Sequence, residues 1–166
     1  MRSRQFIALV AMAVGQCSCT IHAQDSGQFG DKGIVAHWTF NEADGSGLLN
    51  QKGSGNNGAM SNPKGFLRVA GPFGGRAVAF TDPDQKIAGS DRAFPAGKMS
   101  GSISLWFNVP PGARDMVLFC YGTPERGRGR GLWLVNEKQL CFYFWGHPAD
   151  LHVRPGGGVT PNQWHH

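Results

Sequence analysis

The eight residues of SISLWFNV, 102–109, alternate without a break. Ile103, Leu105, Phe107 and Val109 fall on one face; Ser102, Ser104, Trp106 and Asn108 fall on the other. Period two marks a strand with one buried face, because successive strand side chains point to opposite sides. GIVAHWTF repeats the pattern, with Ile34, Ala36, Trp38 and Phe40 set against Val35, His37 and Thr39. GRAVAFTD is a third run, with Val78 and Phe80 together. DMVLFCYG is apolar on both faces, which predicts a central strand covered on both sides. GLWLV, the turn NEKQ and LCFYFWG predict a hairpin, and LHVRP a short edge strand. No stretch keeps a helical period beyond two turns.

What separates these runs is as informative as the runs themselves. The chain has 25 Gly and 10 Pro in 166 residues, enough to punctuate every run with a turn. PPGAR stops the run ending at Val109, since proline cannot continue a central ladder. NEADGSG, QKGSGNNGAM and PDQKIAGSDRAFPAGKMSG are turn-rich and offer little to a core. Short strands with such connections predict one all-β domain, an antiparallel sandwich or barrel.

Residues 1–23 are expected to lie outside that domain. Arg2 and Arg4 precede the short apolar run FIALVAMAVG, and Ala23 closes a small-residue site. This is the layout of a secretory signal peptide, too short for a membrane span. Cys17 and Cys19 keep a lipoprotein signal as the alternative, although neither follows the small residues that a lipidated cysteine needs. Cleavage after Ala23 leaves a polar leader over 24–32, a domain over 33–166, and no membrane span in the mature chain. The product is expected to be secreted, periplasmic or at the cell surface.

Cleavage also changes the charge. Sixteen Lys and Arg less Arg2 and Arg4 leave 14, against 11 acidic residues, so the net charge falls from +5 to +3. That mild excess argues against nucleic acid as a partner unless it is concentrated. The one concentration is ERGRGRG, with Arg126, Arg128 and Arg130. Two readings are open: a solvated hairpin loop, or an anion contact through the guanidinium forks. Cys120 and Cys141 remain in a disulfide-permissive compartment, and both a bridge and two buried thiols stay open.

Several stretches together resemble the LamG-like jelly rolls of the concanavalin A-like lectin and glucanase superfamily. They are AHWTFNEADGSG, NQKGSGNNGAM, GPFGGRAVAF, GSISLWFNV and GLWLVNEKQLCFYF, and their order and spacing carry the likeness. The resemblance covers about Gly33 to His166. It implies an antiparallel two-sheet jelly roll. It also implies that NQWHH opens a further strand, so that the domain is expected to be incomplete at its C-terminus.

The superfamily includes glucanases, whose chemistry needs two facing carboxylates. Glu42, Glu125 and Glu137 all fall in predicted loops or turns, and the nearest motif has Gly47 where a glutamate is needed. There is no Gly-x-Ser-x-Gly elbow. A non-catalytic module is therefore expected, with a degenerate glycoside hydrolase as the least favoured reading. Calcium is the metal that the resemblance suggests, with Asp82, Asp84, Asn41 and Asp44 as candidate oxygen donors. Turn formation accounts for the same residues without a metal. For a glycan, the candidates are Trp106 with Asn108, and Trp133, Tyr143 and Trp145 on faces that can line one concave sheet. The expected partner is a glycan or, alternatively, an extracellular protein met without a sugar site.

Overall fold

The computed structural model describes residues 8–11, 34–42, 47–52, 54–61, 67–82, 84–90, 94, 101–123, 125–146, 148, 150–154 and 156–166. In chain order the strands are β1 (Ala8–Ala11), β2 (Gly47–Leu48), β3 (Gly58–Met60), β4 (Leu67–Ala70) and β5 (Arg76–Phe80). They continue as β6 (Ile87–Gly89), β7 (Trp106–Asn108), β8 (Met116–Gly122), β9 (Gly129–Asn136), β10 (Gln139–Phe144) and β11 (Leu151–Val153). Single 3-10 turns stand at Ser54–Asn56 and Pro72–Gly74. Among the described residues there is no α-helix, and no helix long and apolar enough to cross a membrane. The all-β expectation holds.

Among the described residues the strands form three antiparallel sheets, ordered β4-β5-β1-β7, β11-β10-β9-β8 and β2-β3-β6. Two apolar clusters join them. Phe107 of β7, Leu118 of β8 and Leu134 of β9 share one, with Leu105, Val109, Ala113 and Val159. Val78 of β5 shares the other with Phe40, Leu48 and Met60. Leu134 and Val78 are both 0% exposed, and burial of such a side chain stabilises by about 1.5–3 kcal/mol. The alternation in SISLWFNV is kept: Leu105, Phe107 and Val109 are buried while Ser102 and Ser104 are exposed.

The hairpin is present as β9 and β10, and LHV is an edge strand. Other segments depart from their patterns. GIVAHWTF makes no strand, only an isolated bridge between Trp38 and Asn50. The run breaks because Phe40 turns at φ 59°, and Arg68 Nη1 donates to its carbonyl at 3.0 Å. Arg68 is itself held by Glu42 at 3.6 Å. DMVLFCYG becomes β8, an edge strand rather than a central one, and Val117 is left 53% exposed. QKGSGNNGAM supplies β3 and buries Asn56, whose carbonyl accepts the Trp38 indole N–H at 2.9 Å.

Two segments far apart in the sequence, Ala8–Ala11 and His165, meet at β7. Ala8–Ala11, within the segment assigned to export, lies between β5 and β7, with Val10 opposite Val78 on one side and Phe107 on the other. A short apolar run suits a signal and a strand equally, so the sequence pattern does not separate the two. On the far edge of β7, Phe107 exchanges both backbone hydrogen bonds with His165, each at 2.9 Å. The NQWHH end thus contributes a bridge where a strand start was expected.

Candidate functional site

The side chains of β9 divide cleanly. Arg130, Leu132 and Leu134 take one face, and Leu134 enters the core. Gly129, Gly131, Trp133 and Val135 therefore take the outer face. On β10 the outer face belongs to Cys141 and Tyr143, and the pairing continues to Trp145, whose N–H donates to Gly129 O at 2.9 Å. The register sets Cys141 opposite Trp133 and Tyr143 opposite Gly131. Tyr143 and Trp145 thus each stand across from a glycine. A Cβ on Gly131 would come within 2.7 Å of the Tyr143 ring, and one on Gly129 within 3.2 Å of Trp145 Cβ.

These side chains border a cleft with a cavity volume of about 440 Å³, within the range of small-ligand sites. Trp133 and Tyr143 meet edge to face at 6.0 Å, and Trp145 stands 49% exposed at one end. Asp150 and His152 supply polar groups at the rim. Asp150 Oδ1 accepts the Phe144 N–H at 2.9 Å, tying the residue before β11 to the end of β10. Burial pushes the Tyr143 phenol up to about 12, helped by the neighbouring Cys120 and Cys141, so it stays a hydrogen-bond donor. The Trp133 indole N–H is buried beside the cleft without an acceptor.

Cys141 Sγ lies 3.8 Å from His152 Nε2, a contact that sequence spacing did not reveal. Burial raises the thiol, and Asp150 raises it further. An activated nucleophilic cysteine needs the opposite shift. Cys141 therefore stays protonated as a thiol beside His152. Cys120 and Cys141 are both free, and the bridge left open by the sequence is not formed. They stand on β8 and β10 with β9 between, Cys120 opposite Gly131 and Cys141 opposite Trp133, so more than two strand spacings of about 4.8 Å part them, beyond the reach of a disulfide. Of the two thiols only Cys141 is buried; Cys120 is exposed.

The five candidate glycan residues do not form one group. Trp133, Tyr143 and Trp145 come together as expected. Trp106 and Asn108 lie on β7, on the face opposite Phe107. Since Phe107 and Leu134 share a core cluster, Trp106 points away from the sheet that bears Trp133. The Trp106 ring stacks on His166 at 4.9 Å and meets Phe73 edge-on at 5.0 Å. The residues missed by the sequence reading are Gly129, Gly131, Asp150 and His152. RGRGRGLW did carry a signal, because its glycines are in phase with Trp133.

The candidate calcium donors serve the backbone. Asp82 Oδ1 accepts the Asp84 N–H, and Asn41 Oδ1 the Arg76 N–H, both at 2.9 Å. Asp44 lies outside the described residues. Among the described residues no three His, Cys, Asp or Glu side chains gather as a metal would require. The Arg-Gly segment also differs from a solvated loop. Arg128 pairs with Glu125 at 2.8 Å in the turn, but Arg130 is a buried β9 residue, 5.5 Å over the Phe144 ring.

Comparison with known proteins gives no matching family model, no matching curated protein and no matching solved structure. The class defined by fold and site is an all-β chain of antiparallel sheets with an aromatic-lined cleft on one outer sheet face.

Proposed function

We propose that this chain is an exported, non-catalytic recognition module that binds carbohydrate in the cleft of the β8–β11 sheet. The observation that carries this reading is the Tyr143 ring seated over Gly131, with Trp133 and the half-exposed Trp145 lining the same cleft. Aromatic rings lining a cleft offer flat apolar surface to a pyranose, and Asp150 and His152 at the rim bring polar atoms, such as the second Asp150 carboxylate oxygen, within reach of its hydroxyl groups. The LamG-like jelly roll belongs to the same reading. It is supported by the shared core of Phe107 and Leu134, which packs one sheet on another.

An extracellular protein is the second reading. It is favoured by Leu151 and Val153 on the edge strand β11, exposed at 59% and 46%. One experiment separates the two. Trp145 is exposed, so Trp145→Ala leaves the fold intact, and glycan-array and calorimetric binding fall about tenfold or more, equivalent to ~1.4 kcal/mol. Unchanged glycan binding in a folded variant sinks the cleft assignment. Absence of glycan binding in the parent protein turns the question to a protein partner.

A further inference from the structure

We propose that the gap between β5 and β7 is a seat for a guest strand, an uncharged apolar segment in extended conformation, supplied by a partner polypeptide other than a second copy of this chain, once residues 1–23 are removed. The proposal rests on reading those residues as a cleaved export signal, and it is independent of the carbohydrate site. Ala8–Ala11 now fills the seat. Ala8, Leu9 and Val10 pair with Phe80, Ala79 and Val78, while Leu9, Val10 and Ala11 pair with Asn108, Phe107 and Trp106. Export would take this interior strand away.

The gap cannot heal by closing. β1 runs antiparallel to both neighbours, so β5 and β7 are parallel to each other and two strand spacings apart. Pairing them directly needs a shift of about 4.8 Å, one strand spacing. Val78 of β5 and Phe107 of β7 are 0% and 2% exposed, and they are anchored in different core clusters. Such a shift would pull one of them out of close packing. The outer edges are already taken, β5 by β4 and Phe107 by His165. Removal of β1 therefore leaves two interior edges with facing N–H and C=O groups, an arrangement that a strand adds to from both sides. The present occupant, Ala-Leu-Val-Ala, sets the chemistry: small or branched apolar residues, no charge and no proline.

The test uses the full chain with a protease site introduced after Ala23. After cutting, the body is expected to retain the 1–23 fragment during size exclusion. Excess labelled peptide QFIALVAMA, residues 5–13, should displace that fragment. The same peptide carrying Val10→Pro should bind about tenfold more weakly, because proline removes a donor from an interior strand. Stripping the fragment should lower the unfolding midpoint, and the peptide should restore it. Loss of the fragment with an unchanged midpoint and no peptide uptake overturns the proposal. A dimer of cut chains that excess peptide does not dissolve assigns the seat to a second copy and overturns it too. If the cut protein aggregates, refolding with and without peptide decides, and equal recovery counts against the seat.

Discussion

Tyr143 and Gly131 face each other across β10 and β9, and the tyrosine ring occupies the space that a side chain at 131 would need. An added Cβ would stand 2.7 Å from two ring carbons and 2.6 Å from the Phe119 carbonyl oxygen. The ring can swing aside, but the carbonyl belongs to β8 and cannot. Gly131→Ala should therefore destabilise the protein by about 1–3 kcal/mol, the usual cost of overpacking. Gly156→Ala, where a Cβ meets nothing within 4 Å, is the control, expected within about 0.5 kcal/mol of the parent. Denaturant unfolding of the two variants checks the difference.

The Tyr143 phenol makes stability depend on pH at the alkaline end. Its folded value of about 12 lies above the unfolded value of about 10. Below the unfolded value both states hold the proton, and the stabilisation is fully present. As pH rises from the unfolded to the folded value, the unfolded state gives up its proton first, so stability is lost. The loss should be on the order of 2 kcal/mol, reduced by solvent on the open side of the cleft. Tyr143→Phe should flatten that part of the profile. Urea unfolding across this window, parent against variant, isolates the effect from other groups that titrate there.

The parts of this architecture that were legible in the sequence are those governed by local period. The alternation of SISLWFNV placed Leu105, Phe107 and Val109 in the core, and GLWLV–NEKQ–LCFYF gave the hairpin that bears the cleft. What was not legible depends on partners distant in the chain. Arg130 looked like part of a charged loop because its neighbours are glycine and arginine. Its burial comes from Phe144, fourteen residues on, and from Tyr121 Oη at 3.4 Å. DMVLFCYG carries the apolar load of a central strand, yet sheet order sets it at an edge. Trp106 and Trp133 have equal claims as exposed rings on alternating strands. Only the core between Phe107 and Leu134 shows that they face opposite ways.

The two thiols should differ sharply in reactivity. Alkylation under non-reducing conditions, read by mass spectrometry, is expected to find both Cys120 and Cys141 free. Cys120 is exposed and should react first. Cys141 is buried, and its thiol is raised by burial and by Asp150, so its thiolate fraction at neutral pH is depressed. Its labelling should need denaturant or a distinctly higher pH. A parent mass two hydrogens short, with neither cysteine labelled, would show a bridge and place β8 next to β10.

Trp106 separates structural aromatics from those of the cleft. Its ring lies between His166, stacked at 4.9 Å, and Phe73, edge-on at 5.0 Å. Ser104 Oγ and His166 Nε2 are 2.6 Å apart, so the ring, the imidazole and the hydroxyl form one surface cluster on the outer side of β7. Aromatic pairs of this kind contribute about 0.5–1.5 kcal/mol beyond the area they bury. Trp106→Ala should therefore lower stability by about 1–3 kcal/mol and free the His166 ring, measurable as a lower unfolding midpoint and a shifted imidazole resonance. Glycan binding should stay at the parent level, since the Trp133–Tyr143–Trp145 face looks the other way. A Trp106→Ala protein that keeps its midpoint and loses its glycan moves the binding surface to β7. A folded protein in which Trp145→Ala alone abolishes binding keeps it on β9 and β10.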